Sequence, residues 1–426
     1  MGWSFWLDIA TWLFCFFKTF KDPFYGILGY YWLTIMRPQD LHFYTWLGVQ
    51  RLSFFIALLT ILLVFFRRHR LIYRTKVFDL AQNKIYFIFW FGILISYFNS
   101  YDPDISWNNF VLLSKMVLFY YVSSYWIETR KQYRVFVWVA IYSMARMSYW
   151  ANSRYFFDGY FGRIAGPGYG AYGDENVFAT LFVIGIPLCY YMMQMVKKKV
   201  IKIGLFVVMI TFVHCIILTG SRGGFLGMIV GSAEALIKAK KKWISVVIGG
   251  LAVILFFQLW GGYGRERQES FLTDSSVRQT SGHSRVEAWH AGLKAFYLNP
   301  ITGVGLDMFE YIVPLLTKGQ TCQVAHNAYI QMLAEAGIFA GGGLIALFVI
   351  SFIDLWRMRR WAKNKLIDTE AYHYAAMLHS SLMGYGVCAM FLSLDTFEPF
   401  YVLVLLIALL KKLVRLGEFS QETGQN

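Results

Sequence analysis

Run length constrains this chain more than any single motif. From residue 22 to residue 415, apolar stretches of about 15 to 29 residues follow one another with polar connections between them, the longest at 261–325. A bilayer core of about 30 Å takes about 20 apolar residues per helix. Within hydrocarbon, a helix is the element that satisfies its own backbone groups in one segment. The pattern therefore predicts an all-α integral membrane protein of about 12 transmembrane helices. The runs lie at roughly 22–36, 44–66, 80–98, 109–127, 133–150, 175–196, 201–219, 223–237, 243–260, 327–355, 373–394 and 399–415.

Composition removes the soluble alternatives. Charged residues are 15% of the chain, against about 25% in soluble domains. The formal net charge of +15 would suit a nucleic acid, but the basic residues stand in clusters at 67–76, 130–134, 197–202, 238–242 and 357–365 and from Lys411 onward. These clusters occupy every second connection, as the positive-inside rule expects of cytoplasmic loops, so no nucleic-acid partner is expected. Both termini are then cytoplasmic, and the Trp-rich run at 3–17 becomes a helix lying in the interface. A thirteenth span is the alternative, with Met1 outside. That run lacks a preceding basic region and a small-residue cleavage site, so it does not read as a signal peptide. Cys15, Cys189, Cys215 and Cys388 fall in apolar segments and Cys322 in a polar loop, giving neither a disulfide framework nor a metal spacing.

The alternate connections, 101–104, 152–173, 219–224, 261–325 and 395–398, are outer and hold the chemistry. In the longest, Ser284-Arg285-Val286-Glu287 has capping-box spacing, which predicts a short amphipathic helix with Ser284 as N-cap and an end before Pro300. Arg285 would occupy its first turn, where unpaired N–H groups favour a phosphate; an interfacial anchor arginine is the alternative. Gly303-Val304-Gly305 predicts a turn before a second short helix with Asp307 and Glu310. The tight 219–224 turn places Arg222 close to hydrocarbon, where it needs an anion, either a ligand or a lipid headgroup. Arg146, Arg154 and Arg163 make the same face more basic, and His283 and His290 flank Arg285 as candidate substrate contacts. Lys115, Glu234 and Glu335 lie in apolar runs, the two carboxylates expected in structural pairs with basic residues.

His326-Asn327 opens the apolar run at 327–355. A neutral imidazole accepts a proton near pH 7, which suits deprotonation of an attacking hydroxyl. The alternative is an interfacial polar residue. Gly337, about three turns on, would share a face with His326 and admit a neighbouring helix closely.

These residues resemble the O-antigen ligase and polymerase superfamily of bacterial membrane glycosyltransferases. Its most specific motif is His followed by Asn, Ser or Gln, nine residues, then Gly-x-x-Gly/Thr/Tyr. His326, Asn327 and Gly337 match it, while Ala340 stands at the last position and the glycine is displaced to Gly341. The Ser-Arg-Gly-Gly at 221–224, Arg285 with Trp289, Asn299-Pro300, Gly303-Val304-Gly305 and Asp174-Glu175-Asn176 are also similar to the family. The resemblance covers about residues 150–415. The stretch at 30–43 (YYWLTIMRPQDLHF) resembles the exosortase-associated O-glycosylation ligases.

The resemblance implies a membrane glycosyltransferase of the second, GT-C, class in a bacterial inner membrane, metal-independent and with no cofactor. Its donor would be an undecaprenyl-diphosphate-linked glycan. The acceptor would be the lipid A core for a ligase, another lipid-linked glycan for a polymerase, or Ser or Thr for a protein ligase. In that reaction Arg222 and Arg285 are expected to hold the diphosphate and His326 to act as base, with inversion at the anomeric carbon. Asn327, Arg146, Arg163, His283 and His290 are expected near substrate. The expected organisation is N-terminal membrane helices (1–150), a ligase core (151–415) containing the periplasmic loop (261–325), and a cytoplasmic tail (416–426). A transporter of a lipid-linked or anionic solute is the non-enzyme alternative; it would show broken helices and ionisable groups near the bilayer midplane.

Overall fold

A computed structural model describes residues 3–42, 51–73, 77–168, 172–238, 250, 275–317 and 324–420, with side chains described at all of these except 3, 77, 236–238 and 275–284. No strand occurs among the described residues. The helices are α1 (Trp3–Thr19), α2 (Pro23–Met36), α3 (Pro38–Leu41), α4 (Leu52–Arg67), α5 (Ala81–Phe98), α6 (Pro103–Trp126), α7 (Arg130–Phe156), α8 (Glu175–Met195), α9 (Lys199–Thr219), α10 (Arg222–Lys238), α11 (Ser275–Leu298), α12 (Phe309–Leu316), α13 (Ala328–Lys363), α14 (Thr369–Ala389) and α15 (Glu398–Arg415). Every apolar run predicted from the sequence contains one of them, apart from 243–260, which lies outside the described residues except for residue 250. Among the described residues, four helical stretches are long and apolar enough to cross a membrane by length and composition: Leu52–Arg70, Glu175–Met195, Lys199–Thr219 and Ala328–Lys363. Among the described residues the chain is all-helical, and its long apolar helices are those of an integral membrane protein.

Local chemistry sets the helix ends. Asp22, Asp102 and Asp174 cap α2, α6 and α8 through their side chains, with Pro23 and Pro103 at first helical positions where a missing N–H costs nothing. Gly220 ends α9 in the left-handed conformation at φ 61°. Ser221 Oγ then accepts the Gly224 N–H at 3.0 Å and starts α10, so the predicted tight turn forms. Along one seam Gly227 and Gly231 of α10 meet Gly384 of α14, letting two backbones approach. α15 is buried along almost its whole length and forms the middle of the core, whereas α4 and α9 expose much of their surface.

The run at 3–17, expected as an interfacial helix, forms α1 and lies antiparallel along α2. Cys15 packs at Gly29 and Thr19 at Gly26, positions where a Cβ would not fit. Asp8 of α1 is buried and meets both His42 Nε2 (2.9 Å) and Arg146 Nη2 (3.3 Å).

The connections sort to two ends of the bundle. At one end Arg130 pairs with Asp368 (2.7 Å) and Glu370, Arg134 with Glu370 (2.8 Å), and Tyr73 donates to Glu418 (2.9 Å). At the other, Tyr172 donates to the Ile35 carbonyl (3.1 Å), the Tyr101 N–H to the Val304 carbonyl (3.3 Å) and Ser106 to the Leu306 carbonyl (2.7 Å). The basic 130–134 segment, the described part of the 67–76 loop and the segment after α15 therefore gather opposite the 219–224, 300–309 and 390–398 segments. Inside the bundle Lys411 pairs with Asp354 at 2.5 Å, and Glu234 with Arg359 and His379, as expected of a structural carboxylate. Lys115 lies on the exposed side of α6.

Candidate active site

The segments carrying the predicted site pack around an apolar cluster of their own, apart from the bundle core. Ala288, Ala291 and Ala295 of α11, Val304, Met308, Phe309 and Val313 of the following segment, and Ala325 and Ala334 beside and within α13 form it. Alanines at i, i+3 and i+7 give α11 a flat buried stripe, so it lies close against its neighbours. Val286, His290, Leu293 and Tyr297 form its exposed side. This stripe confirms the amphipathic helix and its end before Pro300. The start differs: α11 begins at Ser275, nine residues before Ser284, so Ser284 is not its N-cap and Arg285 is not in its first turn. The capping-box residues are also tolerated inside a helix, and the preceding residues continue the ladder. Arg285 acts here as a guanidinium alone, without unpaired backbone N–H groups beside it. Asp307, expected in the next helix, precedes it in the loop at φ 63°.

Gly337 breaks α13. Its φ of 67° and ψ of −167° belong to a region that glycine alone occupies readily. A Cβ there would lie 2.3 Å from the Ile301 carbonyl oxygen, and the Ile338 N–H donates to the Pro300 carbonyl at 2.8 Å. What approaches this glycine is the Asn299-Pro300 turn, not a neighbouring helix as the spacing suggested. Gly337→Ala adds a left-handed penalty of about 1–3 kcal/mol to that clash. Thermal unfolding is expected to show a lowered melting temperature, with transfer reduced; an unchanged melting temperature would contradict this account.

The break frees carbonyls at the end of the first half of α13, and the Gly303-Val304-Gly305 turn takes them. The Val304 N–H donates to the Ala334 carbonyl (3.0 Å) and the Gly305 N–H to the Glu335 carbonyl (2.9 Å). Gly303 and Gly305 have φ of 65° and 112°, so the predicted glycine turn exists and needs both glycines. Glu335 is 1% exposed, and its side chain meets no cation among the described residues. The expected pair with a basic residue is replaced by N–H donors. Asp307 N–H donates to Oε2 at 3.0 Å, Phe309 N–H to Oε1 at 3.3 Å and Gln331 Nε2 to Oε1 at 3.1 Å.

His326 sits just before this half-helix, partly buried, at φ 48°. Its N–H donates to Ser393 Oγ at 3.2 Å, and Trp289 Nε1 donates to the preceding carbonyl, that of Ala325, at 2.7 Å. Asn327 N-caps α13, its Oδ1 accepting from the Tyr329 and Ile330 N–H groups at 3.1 Å each. Burial lowers the proton affinity of the His326 imidazole below the ordinary value, and the Arg285 guanidinium lowers it further. The Asp174 carboxylate opposes them. Such an imidazole is neutral near pH 7 and ready to accept a proton. The structure thus brings His326, Arg285 and Asp174 into one electrostatic environment.

Arg222 opens α10 with its side chain exposed. Its neighbour Gly223 faces Phe391, whose segment also supplies Ser393 to His326. Arg163 donates from Nε to the Thr219 carbonyl at 3.0 Å and lies 3.9 Å from Glu175, so it braces the Arg222 turn. Arg146 is engaged by Asp8, which also meets His42. His290 faces outward on α11, and the side chain of His283 lies outside the described residues. Sequence reasoning missed Ser393, which carries no local signal, and the role of Glu335, whose signal was a carboxylate two residues before the motif glycine.

Residues 206–345 match the family model described as O-antigen ligase. Two curated relatives are similar. The ComP-specific O-oligosaccharyltransferase of Acinetobacter baylyi is 25% identical over 203 residues, 43% of this chain and 35% of that protein. The teichuronic acid biosynthesis protein TuaE of Bacillus subtilis is 26% identical over 215 residues, 45% of this chain and 41% of that protein. Both alignments thus cover well under half of the relative. The matched region takes in the Arg222 turn, Arg285, His326 and the Gly337 break, so the part of the chain that carries the candidate site is similar to the O-antigen ligase family.

Proposed function

We propose that this protein is a glycosyltransferase that moves a glycan from undecaprenyl diphosphate to a hydroxyl of the lipid A core, at the periplasmic face of a bacterial inner membrane. The observation that carries this reading is that Arg285 lies within electrostatic reach of a partly buried, neutral-leaning His326 at the bundle end opposite the basic loops. His326 takes the proton of the attacking hydroxyl as its oxygen bonds to the anomeric carbon. The bond from that carbon to the diphosphate breaks, and its electron pair leaves on the diphosphate oxygen. Arg285 and Arg222 offset the charge that grows there. A single displacement inverts the anomeric centre. The run of α1 along α2 supports the thirteen-helix count, which places Met1 on the site's side.

The features named for a transporter point elsewhere. The break in α13 lies at the site end with its carbonyls bonded, and Glu234 and Asp354 are paired.

Protein O-glycosylation is the second reading, favoured by the ComP-specific relative and by the 30–43 stretch. Purified protein with undecaprenyl-diphosphate glycan is offered lipid A core, a Ser/Thr peptide, or neither. Transfer to the core is expected. Labelling of the peptide alone would assign a protein ligase, and chain extension with neither acceptor a polymerase.

A further inference from the structure

Glu335 stands outside the reaction, yet it joins the segments that bear its groups. Its carboxylate receives N–H donors from Asp307 and Phe309, which follow α11, and from Gln331 of the half-helix that His326 opens. Its own carbonyl takes the Gly305 N–H and the Ser96 hydroxyl (2.7 Å), fixing the same point to α5. Phe309 in turn packs at Gly292 of α11, two turns from Arg285. A neutral amide would turn N–H groups toward N–H groups here, because two separate backbone donors address the two oxygens.

We infer that Glu335 is a positioning residue, which sets the separation of Arg285 from His326 by clamping the 305–309 segment to the first half of α13. This rests on the reading of His326 as the base. Loosening the clamp lets the Arg285 helix drift, so the two groups no longer meet the donor and acceptor together.

The test uses the full-length protein with the lipid-diphosphate donor and its acceptor. Glu335→Gln is expected to lower kcat about 10²-fold, the scale of a 1 Å misplacement, with a smaller change in KM. It is also expected to move the acidic limb of the pH–kcat profile upward. The charged groups acting on His326 are Arg285 and Asp174, and Glu335 is not one of them, so that movement reports the withdrawal of Arg285. If Glu335→Gln fails to accumulate, Gln331→Leu removes one donor to the same carboxylate and should give a smaller shift in the same direction. A parent-like kcat overturns the inference, and so does a lowered kcat with an unmoved limb, the signature of general support to the fold. His326→Ala is the control. If it retains transfer, the base reading fails and the inference falls with it; if it is inactive while the Glu335 variant is parent-like, the positioning role alone fails.

Discussion

His326→Ala is expected to lower transfer by about 10²–10⁴-fold, the range of a positioned general base, while the protein inserts and still binds its donor. In the proposed reaction the imidazole takes the acceptor proton, and the cations assigned to the donor remain when it is removed. The fold is expected to survive, because the bonds that hold this position come from backbone. Ser393 is met by the His326 N–H, and Trp289 by the Ala325 carbonyl, neither of which the substitution touches. Expression of the variant in a strain lacking its own copy, followed by a gel of its lipopolysaccharide, checks the outcome. A parent-like glycan ladder would sink the assignment.

Arg285 has the second largest expected effect, and it has two separable parts. Arg285→Gln removes a cation from the leaving diphosphate, with a loss of about 10²–10³ in kcat by analogy with single oxyanion donors. It also removes a charge that lowers the His326 proton affinity. The sign follows directly: the base works when unprotonated, so transfer falls as pH drops through the His326 pKa, which lies below the usual value of about 6.5. Without Arg285 that pKa rises and the acidic limb moves to higher pH. Arg285→Lys keeps the charge but loses the planar fork, so its limb stays near the parent position while transfer is impaired. A pH–rate series on the three proteins checks both parts. An unmoved limb in Arg285→Gln would contradict the electrostatic contact.

Much of this fold was legible because hydrocarbon leaves little choice. Long apolar runs between basic clusters become helices, and the structure has a helix at each run it describes. Local turn chemistry was legible as well: Gly220 and Ser221 behave as their residue types demand, as do Gly303 and Gly305. Two kinds of information were not. The start of α11 was misplaced because a serine three residues before a glutamate caps a helix only if the chain before it departs from helical geometry, and residues 275–283 do not depart. The roles of Glu335, Ser393 and Asp174 depend on segments distant in sequence coming together, which no periodicity reports. Gly337 shows the limit most clearly: a glycine eleven residues after a histidine fits both a helix contact and a helix break, and only the position of Pro300 and Ile301 decides between them.

The break at Gly337 also bears on depth. α13 has 36 residues, which at about 1.5 Å per residue would be a rod of about 54 Å, far longer than the 30 Å or so of hydrocarbon. An unbroken rod would carry its first residues straight out along the membrane normal, away from any lipid. Divided at Gly337, the chain from Ile338 onward still suffices to cross, and the leading piece turns to follow the Asn299-Pro300 loop. On the proposed reading this keeps the histidine near the level of lipid phosphates, where a polyprenyl chain remaining in the leaflet would present its diphosphate.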